Sequence, residues 1–170
     1  MPVIHDGENA VANAQRLAKA ARILDIPVLG TEQNPTKLGP NLAVIKAECE
    51  STLAKTHFDA CEDGLLEALN NLNHECNEIV IAGCEAHVCM LQTALGLLRA
   101  GKTVWVVASA SGSRRHSDYT VAMDRLARAG ATIATHEMVM FEWLHDCRHP
   151  RFREVLALIK LADKSRGSLI

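Results

Sequence analysis

The sequence predicts an α/β fold in three layers, α/β/α, with a parallel sheet covered by helices on both faces. Two observations carry this. Short apolar runs such as Ile79-Val80-Ile81-Ala82 alternate along the chain with longer segments of helical periodicity. The runs are mostly unbroken, as strands buried on both faces require, whereas a sheet with one wet face alternates apolar and polar residues.

Ala10, Val11, Ala14, Leu17, Ala18, Ala21 and Leu24 recur at helical spacing with Arg16, Lys19 and Arg22 between them, which predicts an amphipathic helix over 9–25, ended by Pro27. Val28 to Thr31 read as a strand opening into the turn-rich loop Gln33 to Pro40, with Thr31, Glu32 and Gln33 at its C-terminal end. A strand at Thr52–Lys55 and a helix over 62–72 come next. The buried strand Ile79–Ala82 runs into Gly83 and a helix over 87–99. Thr103–Ala108 is a strand, 117–129 a helix ending at Gly130, and Thr132–Ala134 a strand. Helices over 136–145 and 150–162 close the chain. The Ser-rich stretch Ser109 to Ser117 reads as a βα loop. The first helix differs from the other long helices in having no strand before it to cross over from, so a strand is expected upstream.

With 170 residues, 48% of them hydrophobic, and no interdomain linker, residues 1–170 read as one domain. A net charge of −2 without a run of like charges disfavours nucleic-acid partners. No apolar stretch reaches the roughly 18–20 residues of a membrane span, and the N-terminus lacks a signal-peptide pattern. A cytoplasmic location with no membrane partner is expected. The six cysteines include no CxxC pair, so most are expected to be reduced and structural.

Gly96-Leu97-Leu98-Arg99-Ala100-Gly101-Lys102-Thr103 matches the phosphate-loop pattern but runs the wrong way. It closes a helix and opens a strand, so its backbone N–H groups cannot face a phosphate, and Gly101 reads as a C-cap. His145, Asp146, Cys147 and His149 lack the spacing of a metal site. Gly83-Cys84-Glu85-Ala86-His87-Val88-Cys89 stands where a buried strand gives way to a helix, the place where open parallel sheets bind ligands. Cys89 in the first helical turn has its thiolate favoured by the positive end of the dipole, with backbone N–H groups nearby for an oxyanion; a small buried hydrophobe is the alternative. Lys55, at the end of an apolar strand, reads either as a cation placed beside a thiol or as a lysine snorkelling to water.

Taken in order, Thr31-Glu32-Gln33-Asn34-Pro35 with Leu38-Gly39, then Leu53-Ala54-Lys55-Thr56, then Gly83 to Cys89, resemble the isochorismatase-like cysteine hydrolases, in particular the branch of isochorismatase domain-containing proteins. The resemblance runs from about Val3 to the last helix. It implies a Rossmann-like fold and a Cys-Lys-Asp triad that cleaves a C–N bond of a small amide through a cysteine thioester. Cys89 then matches the nucleophile and Lys55 the lysine. The backbone N–H groups of Glu85 and Cys89 match the oxyanion hole, with a cis Cys84–Glu85 bond, while Glu32, Gln33 and His87 are candidates for lining the substrate pocket. The metal ligands of the nicotinamidase branch have no counterparts, so no metal or other cofactor is expected; the expected partners are a small-molecule substrate and further copies in a homo-oligomer.

The resemblance also implies a first, central strand that ends in the catalytic Asp, ahead of the point where this sequence begins. The domain is therefore expected to be truncated at its N-terminus relative to the family, with a slot at the sheet centre, and a start of translation further upstream is the favoured account. Without that carboxylate the alternative is a catalytically impaired pseudoenzyme or an oligomer-forming subunit. A redox role for Cys89, with Cys84 as resolving partner, is a third reading.

Overall fold

Five strands, all running parallel within their sheets, alternate with helices through the computed structural model, which describes residues 3–72 and 76–166, the side chains of 161–166 excepted. The order is α1 (Gly7–Ile23), β1 (Leu29–Gln33), the short turns α2 (Pro35–Leu38) and α3 (Ala43–Lys46), β2 (Ser51–Lys55), a 3₁₀ turn (Ala60–Asp63), α4 (Leu65–Asn70) and β3 (Glu78–Cys84). A π-helical turn (Ala86–Met90) then opens α5 (Leu91–Arg99), followed by β4 (Thr103–Gly112), α6 (His116–Arg128), β5 (Thr132–Ala134), α7 (His136–Leu144) and α8 (Phe152–Arg166). The fold is the three-layer α/β arrangement that the apolar runs imply.

Two cores lie on opposite faces of β3 and β4, and the strand period of two decides which side chain joins which. Ile79 and Ile81 of β3 and Val104 and Val106 of β4 pack with Leu69 of α4, Leu97 of α5 and Leu126 of α6. Val80, Ala82 and Val107 face the other way, onto Leu17 of α1, Met140 and Leu144 of α7 and Val155 of α8. Beyond Val106 the register breaks: Ile81 pairs with Val106 but Gly83 pairs with Ser111, so β4 carries extra residues in an irregular stretch. That irregularity lets β4 continue to Gly112, and the loop to α6 shrinks to Ser113–Arg115, shorter than the Ser109–Ser117 loop expected from composition.

The helix expected over 62–72 is split by Gly64, which at φ 97° ends the 3₁₀ turn before α4 begins. In the turn-rich loop after β1, Pro35 at the first helical position and Gly39 at φ 80° bracket one helical turn. The false phosphate loop is placed as its direction required: Gly101 takes φ 78° after α5 and Thr103 opens β4.

The sheet is in two pieces. β1 pairs with β2 alone, and β3, β4 and β5 form a second sheet in that order. No ladder joins β1 to β3, and a cavity of about 700 Å³ lies between them. This is the slot expected at the sheet centre.

One close approach fixes α5 against the chain before α4. A Cβ on Gly96 would run into the Asp59 carboxylate, its carbon only 2.8 Å away, and that carboxylate holds Arg99 at 2.8 Å and the Cys61 N–H at 2.9 Å. Asp59 is itself buried, so it cannot swing into water without losing both partners. Gly96→Ala is expected to cost about 1–3 kcal/mol, read as a lower denaturant midpoint at unchanged slope; an unchanged midpoint would show that Asp59 has room to move.

Candidate functional site

Gln33, Lys55 and Cys89 meet where β1, β2 and β3 end. The Lys55 ammonium donates to Gln33 Oε1 at 2.5 Å, and the Cys89 Sγ lies 3.7 Å from the same oxygen. Gln33 is held in turn by its own amide, which donates to the Thr56 carbonyl at 2.6 Å. β1 and β2 lie in register with Gln33 opposite Lys55, so parallel pairing itself brings the two side chains together. Cys89 joins from the π-helical turn after β3, a local widening of the helix that often marks functional positions.

Lys55 is only 4% exposed. Its other two acceptors are the carbonyls of His57 and Phe58, each at 3.0 Å. All three partners are neutral oxygens, so the cation is hydrogen-bonded without a carboxylate on it, an arrangement that leaves its charge available to a nearby anion. The ammonium is buried, and the oxygen it bonds on Gln33 is the one the Cys89 sulfur approaches.

The loop supplying those carbonyls is pinned from two sides. Asp63 accepts from the N–H groups of Thr56 and His57 at 2.7 and 2.8 Å and meets the His57 Nδ1 at 2.8 Å. Thr93, four residues after Cys89, donates its hydroxyl to the Phe58 carbonyl and accepts from the Ala60 N–H. Neither residue stands out in the sequence. A carboxylate eight residues after a strand end and a threonine inside a helix carry no spacing signal of their own.

The hydrogen bond that the His57 ring donates to the Asp63 carboxylate, and then that carboxylate's charge, raise the imidazole above its ordinary 6.5. The same bond to His57, with the backbone N–H groups, holds Asp63 below its ordinary 3.8. The stability from His57 is present below pH 6.5 and lost as pH rises through its folded value; that from Asp63 is present above pH 3.8 and lost as pH falls through its folded value. The pair therefore supports the Lys55 loop most between these limits, modestly because His57 is exposed. By NMR the His57 ring is expected to titrate above 6.5 and to return toward that value in Asp63→Asn. An unmoved titration would refute the pairing.

Strand alternation separates the other candidates. Glu32 points away from Gln33 and is buried against Lys46 at 2.9 Å and the Asn41 N–H at 3.0 Å, which hold its carboxyl below the usual range. His87 is turned toward β4 and α6, with its Nδ1 2.9 Å from the Ser113 hydroxyl and its Nε2 4.0 Å from Asp118. The structure thus brings Gln33 to Cys89 and Lys55 and places Glu32 and His87 in contacts of their own. The Glu85 carboxylate is taken up by Arg114, whose Nε and backbone N–H reach it at 2.9 and 3.1 Å, leaving the Glu85 backbone as its link to the nucleophile turn. The Cys84–Glu85 peptide is cis, as the resemblance implies.

The six cysteines are all free thiols. Cys84 packs against Gly112, and burial pushes its thiol up. Burial pushes the Cys61 thiol up to about 12. Among the described residues no group of three or more His, Cys, Asp and Glu side chains is placed to hold a metal ion, and no helix is long and apolar enough to cross a membrane.

Residues 2–138 match the family model described as the isochorismatase domain. Isochorismatase domain-containing protein 2 of Danio rerio is 34% identical over 168 residues, covering 99% of this chain and 85% of that protein. Among solved structures, one described as MAR1 ribonuclease from Caenorhabditis elegans superposes with a TM-score of 0.86 at 34% identity, over 94% of this chain and 82% of that one. The YcaC gene product of Escherichia coli, described as an octameric hydrolase of unknown specificity, superposes with a TM-score of 0.77 at 24% identity, over 92% of this chain and 83% of that one.

Proposed function

This chain belongs to the isochorismatase family, and from that premise we propose that it is a cytoplasmic cysteine hydrolase that cleaves a C–N bond of a small amide. The observation that carries the reading is the single Gln33 oxygen shared by the Lys55 ammonium and the Cys89 sulfur. It sets a cation close to a half-buried thiol at the C-terminal ends of parallel strands, where open α/β sheets bind their ligands.

The Cys89 thiolate attacks the amide carbonyl carbon, and the oxygen takes up the electron pair facing the backbone N–H groups of Glu85 and Cys89. Collapse of that adduct expels the amine, which leaves with a proton, and gives a thioester on Cys89. Water then cleaves the thioester, releasing the carboxylic acid and returning the thiol. Lys55 stabilises the anionic sulfur at the start and end of the cycle. The family resemblance assigns the proton transfers to an aspartate on a strand in the slot between β1 and β3. Copies assemble into a homo-oligomer, a reading supported by the octameric E. coli neighbour.

The protein incubated with a panel of small primary amides is expected to release ammonia from at least one, with a hydroxylamine-sensitive acyl adduct on Cys89 seen by intact mass. Ammonia release without any adduct on Cys89 would overturn the thioester route. A second reading, a catalytically impaired subunit, is favoured by one observation. Among the described residues, the hydrogen-bond partner of the Cys89 sulfur is an amide oxygen, and no carboxylate is bonded to it. General-base assistance is worth about 10²- to 10⁴-fold, so in this reading the thiol alkylates readily while amides turn over at a rate lower by that factor.

A further inference from the structure

The helix that follows Cys89 touches the surroundings of Lys55 at two points. The Lys55 ammonium donates to Gln33 Oε1 and to the carbonyls of His57 and Phe58. The Cys89 sulfur approaches the first of these oxygens at 3.7 Å, and four residues later the Thr93 hydroxyl donates to the Phe58 carbonyl at 3.3 Å. The same hydroxyl accepts from the Ala60 N–H at 3.0 Å. It therefore grips both ends of the segment Phe58-Asp59-Ala60, from a side chain only 5% exposed. Gly96 and Arg99 follow Thr93 on the same face of α5, where residues three apart are neighbours. Gly96 leaves room for the Asp59 carboxylate, and Arg99, itself exposed, pairs with that carboxylate at 2.8 Å. Among these contacts, the one at Thr93 includes an oxygen that also accepts from Lys55.

We propose that Thr93 is a positioning residue for the chemistry of Cys89: its hydroxyl fixes the segment that carries the Phe58 carbonyl, and so holds the Lys55 ammonium at its distance from the sulfur. The inference rests on the reading of Lys55 as the cation that supports the Cys89 thiolate. The residue type follows from the two bonds. The Phe58 carbonyl takes a donor and the Ala60 N–H an acceptor, and a hydroxyl meets both from one atom. Valine in its place keeps the shape but strands the Ala60 N–H, a cost the segment escapes by moving off α5 toward water. Lys55 bonds the Phe58 carbonyl within that segment and the His57 carbonyl beside it. The ammonium therefore moves with the segment, away from the helix that carries Cys89. A retreat from about 6 to about 8 Å weakens its pull on an anion enough to slow a reaction that depends on it about threefold, at an effective dielectric of about 20.

The test reads the charge felt at Cys89 rather than turnover. The 170-residue protein is alkylated at pH 7 with neutral iodoacetamide and with anionic iodoacetate, and Cys89 is followed by peptide mapping with exposed Cys147 as the standard in each sample. In Thr93→Val the iodoacetamide rate at Cys89 is expected to fall about threefold, because the anionic sulfur loses attraction, and the iodoacetate rate about tenfold, because sulfur and reagent both lose it. The ratio of iodoacetate to iodoacetamide rates therefore falls about threefold, and Thr93→Ser, which keeps the hydroxyl, restores it. A lowered thermal midpoint with the wild-type ratio would make Thr93 an ordinary packing residue and overturn the proposal, as would a ratio that serine leaves low. Should Thr93→Val fail to fold, Thr93→Ala carries the same expectations and the same refutations. Lys55→Gln separates the premise from the inference. A wild-type ratio there removes Lys55 as the cation felt at Cys89, and the proposal with it. A lowered ratio in Lys55→Gln beside a wild-type ratio in Thr93→Val overturns the positioning role alone.

Discussion

Cys89→Ala is expected to remove the hydrolysis of any amide the protein turns over, by about 10⁴-fold or more, because the covalent step has no other nucleophile to pass to. The alternatives within the chain are poorly placed. Burial pushes the Cys61 thiol up to about 12 and also raises Cys84 and Cys49, so none of the three supplies much thiolate near neutral pH. Gln33, the side chain that touches the sulfur, offers only an amide. The fold should be little affected: Cys89 is half-buried in a turn, and loss of one sulfur there costs about 1 kcal/mol or less. The check is ammonia release by wild type and variant at equal folded concentration, judged by matching thermal midpoints. Turnover that survives the substitution would sink the cysteine route altogether. Turnover lost together with the fold would be settled by Cys89→Ser, which keeps nearly the same volume and should also be inactive.

Much of this arrangement was legible in the sequence because it depends on local pattern. The β5 limits Thr132–Ala134 follow from three residues between a helix stop and a helix start, whereas α1 ends at Ile23, two residues before the limit expected from Pro27, where Asp25 turns to φ 57°. The position of Cys89 after a buried strand followed from the switch in periodicity at Gly83. The undetected parts depend on contacts distant in sequence. Glu32 and Gln33 are neighbours in the chain, yet the pleat sends one to Lys46 and the other to Lys55, and which of the two faces the thiol is fixed by the register of β1 with β2. The extra residues in β4 arise from its pairing with β3, which no window of sequence reveals. The π-helical turn at Cys89 reads as ordinary helix by composition. Asp63 acts through the backbone N–H groups of Thr56 and His57, and backbone partners leave no trace in residue type.

The second large effect concerns Lys55. Its nitrogen and the Cys89 sulfur approach one oxygen at 2.5 and 3.7 Å, so the two are separated by about 6 Å at most, a distance at which a unit cation attracts an anion by about 3 kcal/mol at an effective dielectric of about 20. Lys55→Gln deletes the charge while keeping two N–H donors for the carbonyls of His57 and Phe58, the groups most costly to strand in a buried site. The rate at which iodoacetamide alkylates Cys89 at pH 7 is expected to fall about 10- to 100-fold, because the anionic sulfur loses that attraction. Peptide mapping separates this from exposed Cys147, whose labelling should not change and serves as the internal standard. Lys55→Arg keeps the charge, so if electrostatics rather than packing governs the thiol it should recover a substantial part of the rate. A Cys89 rate equal to wild type in Lys55→Gln would mean that the lysine serves only to close the loop over β2. Loss in both variants with a lowered thermal midpoint would mean the same, since a charge effect predicts loss in one variant and recovery in the other.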